Sequence, residues 1–349
     1  MSRLRPASLL LVALAGCAPR GTAGPATPTG SPRTASLLPQ LRAEAAALAP
    51  FVTSAEARRF LDATAALPAI PPRGALYQQK GTRNVITPAE HAALPAAQGA
   101  TYTRLDLDET LYYSAKYGTP LAYARPLDLV AGADGDALRG RRIIDFGYGL
   151  IGHLRLLASL GNEVTGIDVD PLLPRLYGLP GDTGPIAGFD RRPSGSIRLL
   201  HGRFPDDPAI RDAVGGGYDL FISKNTLKRG YVHPSQPVDP RRTLGLTVTD
   251  ETFVAAIHAL LKPGGRALLY NLYPAPAPPG QPVIPWAEGE TPFARAIWEG
   301  AGFRVIEFDR DDTAAARRQA RLLGWDREQP PMDVDRDLFA IYTLVEKPR

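Results

Sequence analysis

The chain has 349 residues, of which 44% are hydrophobic, with a formal net charge of +4 and a mean hydropathy of -0.14. That is ordinary globular material for one large domain with extensions, and the charge excess is too small to point to a nucleic-acid partner. A single cysteine, Cys17, excludes an internal disulfide and a cysteine-cluster metal site, and the five histidines are too scattered to predict any metal site.

The N-terminus starts with Arg3 and Arg5, followed by an apolar run from Leu9 to Ala15 that is too short to span a bilayer. It ends in Leu14-Ala15-Gly16-Cys17. This resembles the lipobox of bacterial lipoproteins, which implies that residues 1–17 are a signal peptide and lipidation site, with the signal removed just before the cysteine, a lipid on Cys17, and a protein anchored in the bacterial cell envelope. An unused signal would leave the protein cytoplasmic. Residues 18–36, rich in Pro, Gly, Thr and Ser, read as a flexible tether.

Residues 37–107 form an N-terminal extension. Helices are expected at Leu37–Ala49 and Ser54–Leu67, and irregular chain at Gly81–Gly99. Residues 108–349 form the main domain, opening with short helices at Asp108–Tyr117 and Ala122–Val130. From Arg141 onward, short apolar runs alternate with helical stretches. Strands are expected at Ile143–Phe146, Glu163–Ile167, Ser196–His201, Tyr218–Ser223, Arg266–Leu272, Phe303–Phe308 and Leu338–Val345. Helices are expected at Ile151–Leu160, Asp250–Leu261 and Thr291–Ala301. The pattern predicts an α/β fold with a Rossmann-like, seven-stranded, mostly parallel sheet. The polar segment before the last strand allows an antiparallel edge.

Between the first strand and its helix lies Asp145-Phe146-Gly147-Tyr148-Gly149-Leu150-Ile151-Gly152. Glycines at such a turn let the backbone approach a ligand, and the helix start offers free N–H groups. The spacing of Gly147, Gly149 and Gly152 also fits a nicotinamide or flavin dinucleotide, which keeps an NAD(P)-binding oxidoreductase open. Asp145 lies two residues before the first glycine, where a carboxylate can accept a bond from an amino group. Asp168, at the end of the second strand, can accept ribose hydroxyls.

Taken with Gly166-Ile167-Asp168, Tyr218 to Leu227 and Leu260-Leu261-Lys262-Pro263-Gly264-Gly265, this segment resembles the class I S-adenosylmethionine-dependent methyltransferases over residues 108–349. The resemblance implies S-adenosylmethionine as cofactor, bound by Asp145, Gly147, Gly149, Gly152, Asp168 and Phe204, with Tyr113 and Tyr117 of the preceding helix lining the donor pocket. It also implies a terminal antiparallel strand. Ile151 stands where the family has its third glycine, and Arg203 where it often has an acid.

Methyl transfer needs an aligned nucleophile and, for some acceptors, a base. Candidates follow the fourth strand: Asn225 and Tyr231 to orient the nucleophile and His233 as base. Lys224, Lys228 and Arg229 would draw an anionic small-molecule substrate, although the acceptor is not identified. The membrane is expected as a partner through Cys17, and nucleic acid is not. The competing expectation is a lipid-anchored, non-catalytic protein that retains the fold, because the donor is made in the cytoplasm.

Overall fold

The computed structural model describes residues 36–114, 118–131, 138, 140–278, 280–281, 283–327 and 332–349. Cys17, the signal segment, most of the tether and Tyr117 lie outside the described residues. Eleven strands are present among those described: β1 (Ala75–Gln79), β2 (Val85–Ile86), β3 (Tyr102–Asp106), β4 (Arg142–Phe146), β5 (Glu163–Asp168), β6 (Gly184–Ile186), β7 (Gly195–His201), β8 (Tyr218–Lys224), β9 (Leu261–Tyr273), β10 (Arg304–Asp311) and β11 (Phe339–Glu346).

Eight of them form the main sheet, in the order β10-β11-β9-β8-β4-β5-β7-β6. The pairs β4–β5, β5–β7, β4–β8 and β8–β9 are parallel. This is a Rossmann-like sheet wound outward in both directions from β4. The strands alternate between two cores, as a sheet covered on both faces requires. Ile143, Leu220, Ile222, Leu268 and Tyr270 face one core, while Ile144, Phe221, Ala267 and Leu269 face the other.

Three details differ from expectation. Strand β11 is not an edge: it is inserted antiparallel between β9 and β10, and β10 takes the outer position. An eighth strand, β6, adds antiparallel to β7. The expected turn Lys262-Pro263-Gly264-Gly265 is absorbed into β9, with the Gly264 N–H donating to the Lys347 carbonyl at 2.7 Å. It lies at the start of β9, the opposite end of the parallel strands from the glycine loop.

The N-terminal extension shares the first core. Leu38, Leu41, Ala45 and Leu48 of the helix Leu38–Leu48 are buried there with Ala57, Phe60 and Leu61 of the helix Ala55–Asp62. Polar ties fix it: the backbone N–H groups of Thr53 and Ser54 donate to Asp128 at 2.9 and 2.7 Å. Within the main domain, Arg125 forks onto Asp312 at 3.0 and 2.7 Å. Residues 75–106, of which Gly81–Gly99 were expected to be irregular, carry the antiparallel sheet β2-β1-β3 and two short helices, Pro88–Ala92 and Ala96–Gly99.

Candidate functional site at the switch point of the sheet

The strands that follow β4 fill one side of the sheet and those from β8 onward fill the other. The loops leaving β4 and β8 therefore part, and in open α/β sheets that crevice is where ligands bind. Gly147 leaves β4 with φ +77°, and a Cβ there would collide with the Thr226 side chain from the loop after β8. The Thr226 hydroxyl donates to the Gly147 carbonyl at 3.3 Å. Gly149 has φ +59°, and its N–H donates to Asp168 Oδ2 at 3.0 Å. Asp168 Oδ1 accepts the N–H groups of Val169 and Asp170 at 2.7 and 2.9 Å. Burial raises the Asp168 carboxyl above its ordinary pKa, against the pull of these N–H groups.

Gly152 serves packing. A Cβ there would sit 2.9 Å from Pro120 Cβ and 3.2 Å from the Tyr113 carbonyl. The bulky Tyr148 in the loop fits because Gly166 of β5 leaves room; a Cβ on Gly166 would come within 2.8 Å of the Tyr148 ring.

Beneath the loop is a buried polar cluster. Asp145 is fully buried at the end of β4. Its Oδ2 accepts the Tyr123 hydroxyl at 2.8 Å and is in hydrogen-bond contact with His153 Nε2. The Tyr123 and His153 rings stack at 3.7 Å. Burial lowers the His153 pKa, with the Asp145 hydrogen bond and charge opposing. Among the described residues, Asp145 Oδ1 and His153 Nδ1 are buried with no hydrogen-bond partner.

At the end of β8, Lys224 Nζ lies 5.5 Å from the centre of the Tyr123 ring. Burial brings its pKa down to about 8, while the Asp145 charge works the other way. Lys228 is fully buried, donates to the Leu272 carbonyl and lies 5.6 Å over the Tyr231 ring. Burial, with the Lys224 charge, brings its pKa to about 7.

The crevice thus gathers Asp145, Gly147, Gly149, Asp168 and Lys224. Other candidates have different surroundings. Asn225, at φ +62°, accepts the Leu272 N–H on Oδ1 at 2.7 Å and so clamps the loop to β9. His233 is exposed and pairs through Nε2 with both Asp250 oxygens, at 2.8 and 2.9 Å. Arg229 is exposed, with its backbone N–H on the Glu290 carbonyl. Phe204 is packed in the second core against Phe253. Tyr113 is buried and donates its hydroxyl to the Pro68 carbonyl at 2.6 Å. Tyr231 is half-buried; burial raises its phenol pKa, opposed by the charge of Arg83 from the β1–β2 connection.

Sequence reasoning missed Tyr123, His153 and Val169. His153 was legible as the residue one turn beyond Gly149. Val169 is an exposed apolar side chain directly after Asp168, which offers a flat aromatic ligand a surface. Tyr123 reaches the site only through the fold. Chemically, the crevice pairs a polar, hydroxyl-accepting half at Asp168 with an ionisable half at Asp145 and Lys224.

No family model matches the sequence, and no match is found among curated proteins. Solved structures with a similar fold include the [4+2]-cyclase SpnF, at 17% identity over 64% of this chain and 80% of that one, with a TM-score of 0.35. A TehB-like SAM-dependent methyltransferase from Corynebacterium glutamicum shares 18% identity over 64% and 86%, with a TM-score of 0.30. A SAM-dependent methyltransferase from Methanosarcina mazei shares 15% over 60% and 93%, with a TM-score of 0.32.

Proposed function

We propose that this chain is an S-adenosylmethionine-dependent methyltransferase whose donor lies across the ends of β4, β5 and β8. The observation that carries the reading is the joint placement of Gly147, Gly149, Asp168 and Asp145 around the switch point. Asp168 retains capacity for a ribose hydroxyl after three N–H bonds, since a carboxylate accepts about four, and Val169 offers the adenine an apolar face. The unpartnered Asp145 Oδ1 fits the donor's ammonium. When bound, the donor supplies a methyl group already activated by its sulfonium. The chain's part is to hold it, align an acceptor and take up a proton. An NAD(P) oxidoreductase is a poorer fit, because antiparallel β11 interrupts the parallel order of a dinucleotide-binding sheet.

Calorimetry with S-adenosylmethionine on the purified protein tests the reading, with Asp168→Ala expected to weaken binding at least tenfold. No binding at millimolar donor would sink it. A second reading, a protein that keeps the fold without turnover, draws support from Asp145: its Oδ2 is already taken by Tyr123 and His153. Binding without methyl transfer to a broad panel of small acceptors favours it. For location, we propose a lipid anchor at Cys17, supported by the lipobox resemblance. Palmitate labelling that persists in Cys17→Ser would refute it.

A further inference from the structure

Only six of the 40 lysines and arginines are lysines: Lys80, Lys116, Lys224, Lys228, Lys262 and Lys347. Arginine makes nearly all of the ion pairs among the described residues, yet two of the six lysines are buried one helical turn's spacing apart at the end of β8. Neither has a carboxylate within ion-pair distance among the described residues. Arginine cannot shed its proton in a protein, whereas a buried lysine can. Four groups face Lys224 from the elements around it: Asp145 at the end of β4, His153 in the helix after the glycine loop, Tyr123 from the segment before β4, and Lys228 in its own loop. Asp145 is the one anion among them, and its Oδ2 is committed to Tyr123 and His153.

We infer that Lys224 is the proton acceptor of the proposed methyl transfer, and that binding of the cationic sulfonium donor discharges it to the free amine. A fixed positive charge brought to a buried ammonium repels it and favours the neutral form. The amine then takes the proton from an acceptor X–H as X attacks the methyl carbon. The X–C bond forms, the S–C bond breaks with its electron pair left on sulfur, and Lys224 ends as an ammonium. This selects acceptors that must lose a proton to react, such as a phenol or a thiol. It moves the base from His233, which is exposed and bound to Asp250, to the end of β8. The inference rests on the methyltransferase reading and goes beyond it by naming the base and the class of acceptor.

The test is calorimetry of donor binding to the full chain at pH 7 in buffers of different ionisation enthalpy, which counts protons released. Binding of S-adenosylmethionine should release between half and one proton, and the uncharged-sulfur product S-adenosylhomocysteine, which shares the ammonium but lacks the sulfonium charge, clearly fewer. Lys224→Met should still bind the donor and release no proton. Lys224→Arg, with a charge it cannot lose, should bind the donor at least tenfold more weakly than Lys224→Met while binding the product equally well. Donor binding without proton release, or equal donor affinity in the two variants, overturns the role of Lys224 alone. No donor binding by the unaltered protein overturns the methyltransferase reading and this inference with it.

Discussion

Replacing Tyr123 with Phe probes the cluster under the glycine loop with a single oxygen atom. The Tyr123 hydroxyl donates to Asp145 Oδ2 at 2.8 Å in a site from which both residues exclude water. Burial and the Asp145 charge hold the phenol far above its ordinary pKa, so it remains a donor at every working pH. A hydrogen bond to a charged group contributes about 1.5–3 kcal/mol. The ring and its stacking on His153 survive the change, so no large cavity adds to this. At about 2 °C per kcal/mol, the low end for large domains, the melting temperature should fall by roughly 3–6 °C. The same change frees a lone pair on Asp145. If Asp145 receives the donor's ammonium, Tyr123→Phe should bind S-adenosylmethionine more tightly even as it melts earlier. Differential scanning calorimetry and binding calorimetry read the two effects. A melting point within 1 °C of the parent would refute the dependence of Asp145 on this hydroxyl. A melting drop with weaker donor binding would refute the competition between hydroxyl and ligand.

Three further outcomes follow from the same geometry. Gly147→Ala should destabilise by about 1–3 kcal/mol through overpacking on Thr226, and Thr226→Ala in the same chain should recover part of it. Additive melting shifts would show that the two residues do not collide. Asp312→Ala leaves Arg125 without its fork and Tyr270 without its acceptor at 3.0 Å. Because Arg125 is partly exposed and keeps Asp128 at 3.5 Å, the loss is that of charged hydrogen bonds, about 1.5–3 kcal/mol, and denaturant unfolding that moves by less than 1 kcal/mol would contradict it. The pH dependence has a definite sign. His153, Lys224 and Lys228 all have folded pKa values below their ordinary ones, so the unfolded chain binds more protons. The lysine contribution should make stability rise as pH goes from about 7 to 10.5. The histidine contribution is fully present above about 6.5 and is lost as pH falls below it. The double variant Lys224→Met, Lys228→Met should flatten the alkaline limb of a melting curve series, and an unchanged slope would count against the buried amines.

The sequence by itself determined the central strands of the main sheet, because β4, β8 and β9 are apolar runs whose alternate residues feed two cores. Ile143 and Ile144, or Leu268 and Leu269, are such pairs, and burial on both faces leaves a hydrophobic signal that needs no tertiary information. The glycine loop and the two carboxylates were legible for a related reason: positive φ at Gly147 and Gly149 and an acid at a strand end are local properties. The small sheet β2-β1-β3 was not legible, because its outer face is polar and Gln78, Gln79, Thr103 and Arg104 give no clear alternation. Nor could local sequence show that the apolar last strand would insert between β9 and β10. The tertiary structure alone decided what surrounds Asp145. Tyr123 lies 22 residues before it and Lys224 nearly 80 after it; the parallel pairing of β4 and β8 brings Lys224 to it, and the stacking of Tyr123 on His153 brings the phenol. That packing turns three unremarkable residues into one buried, ionisable cluster, because removal from water is a property of the fold and not of any segment of the chain.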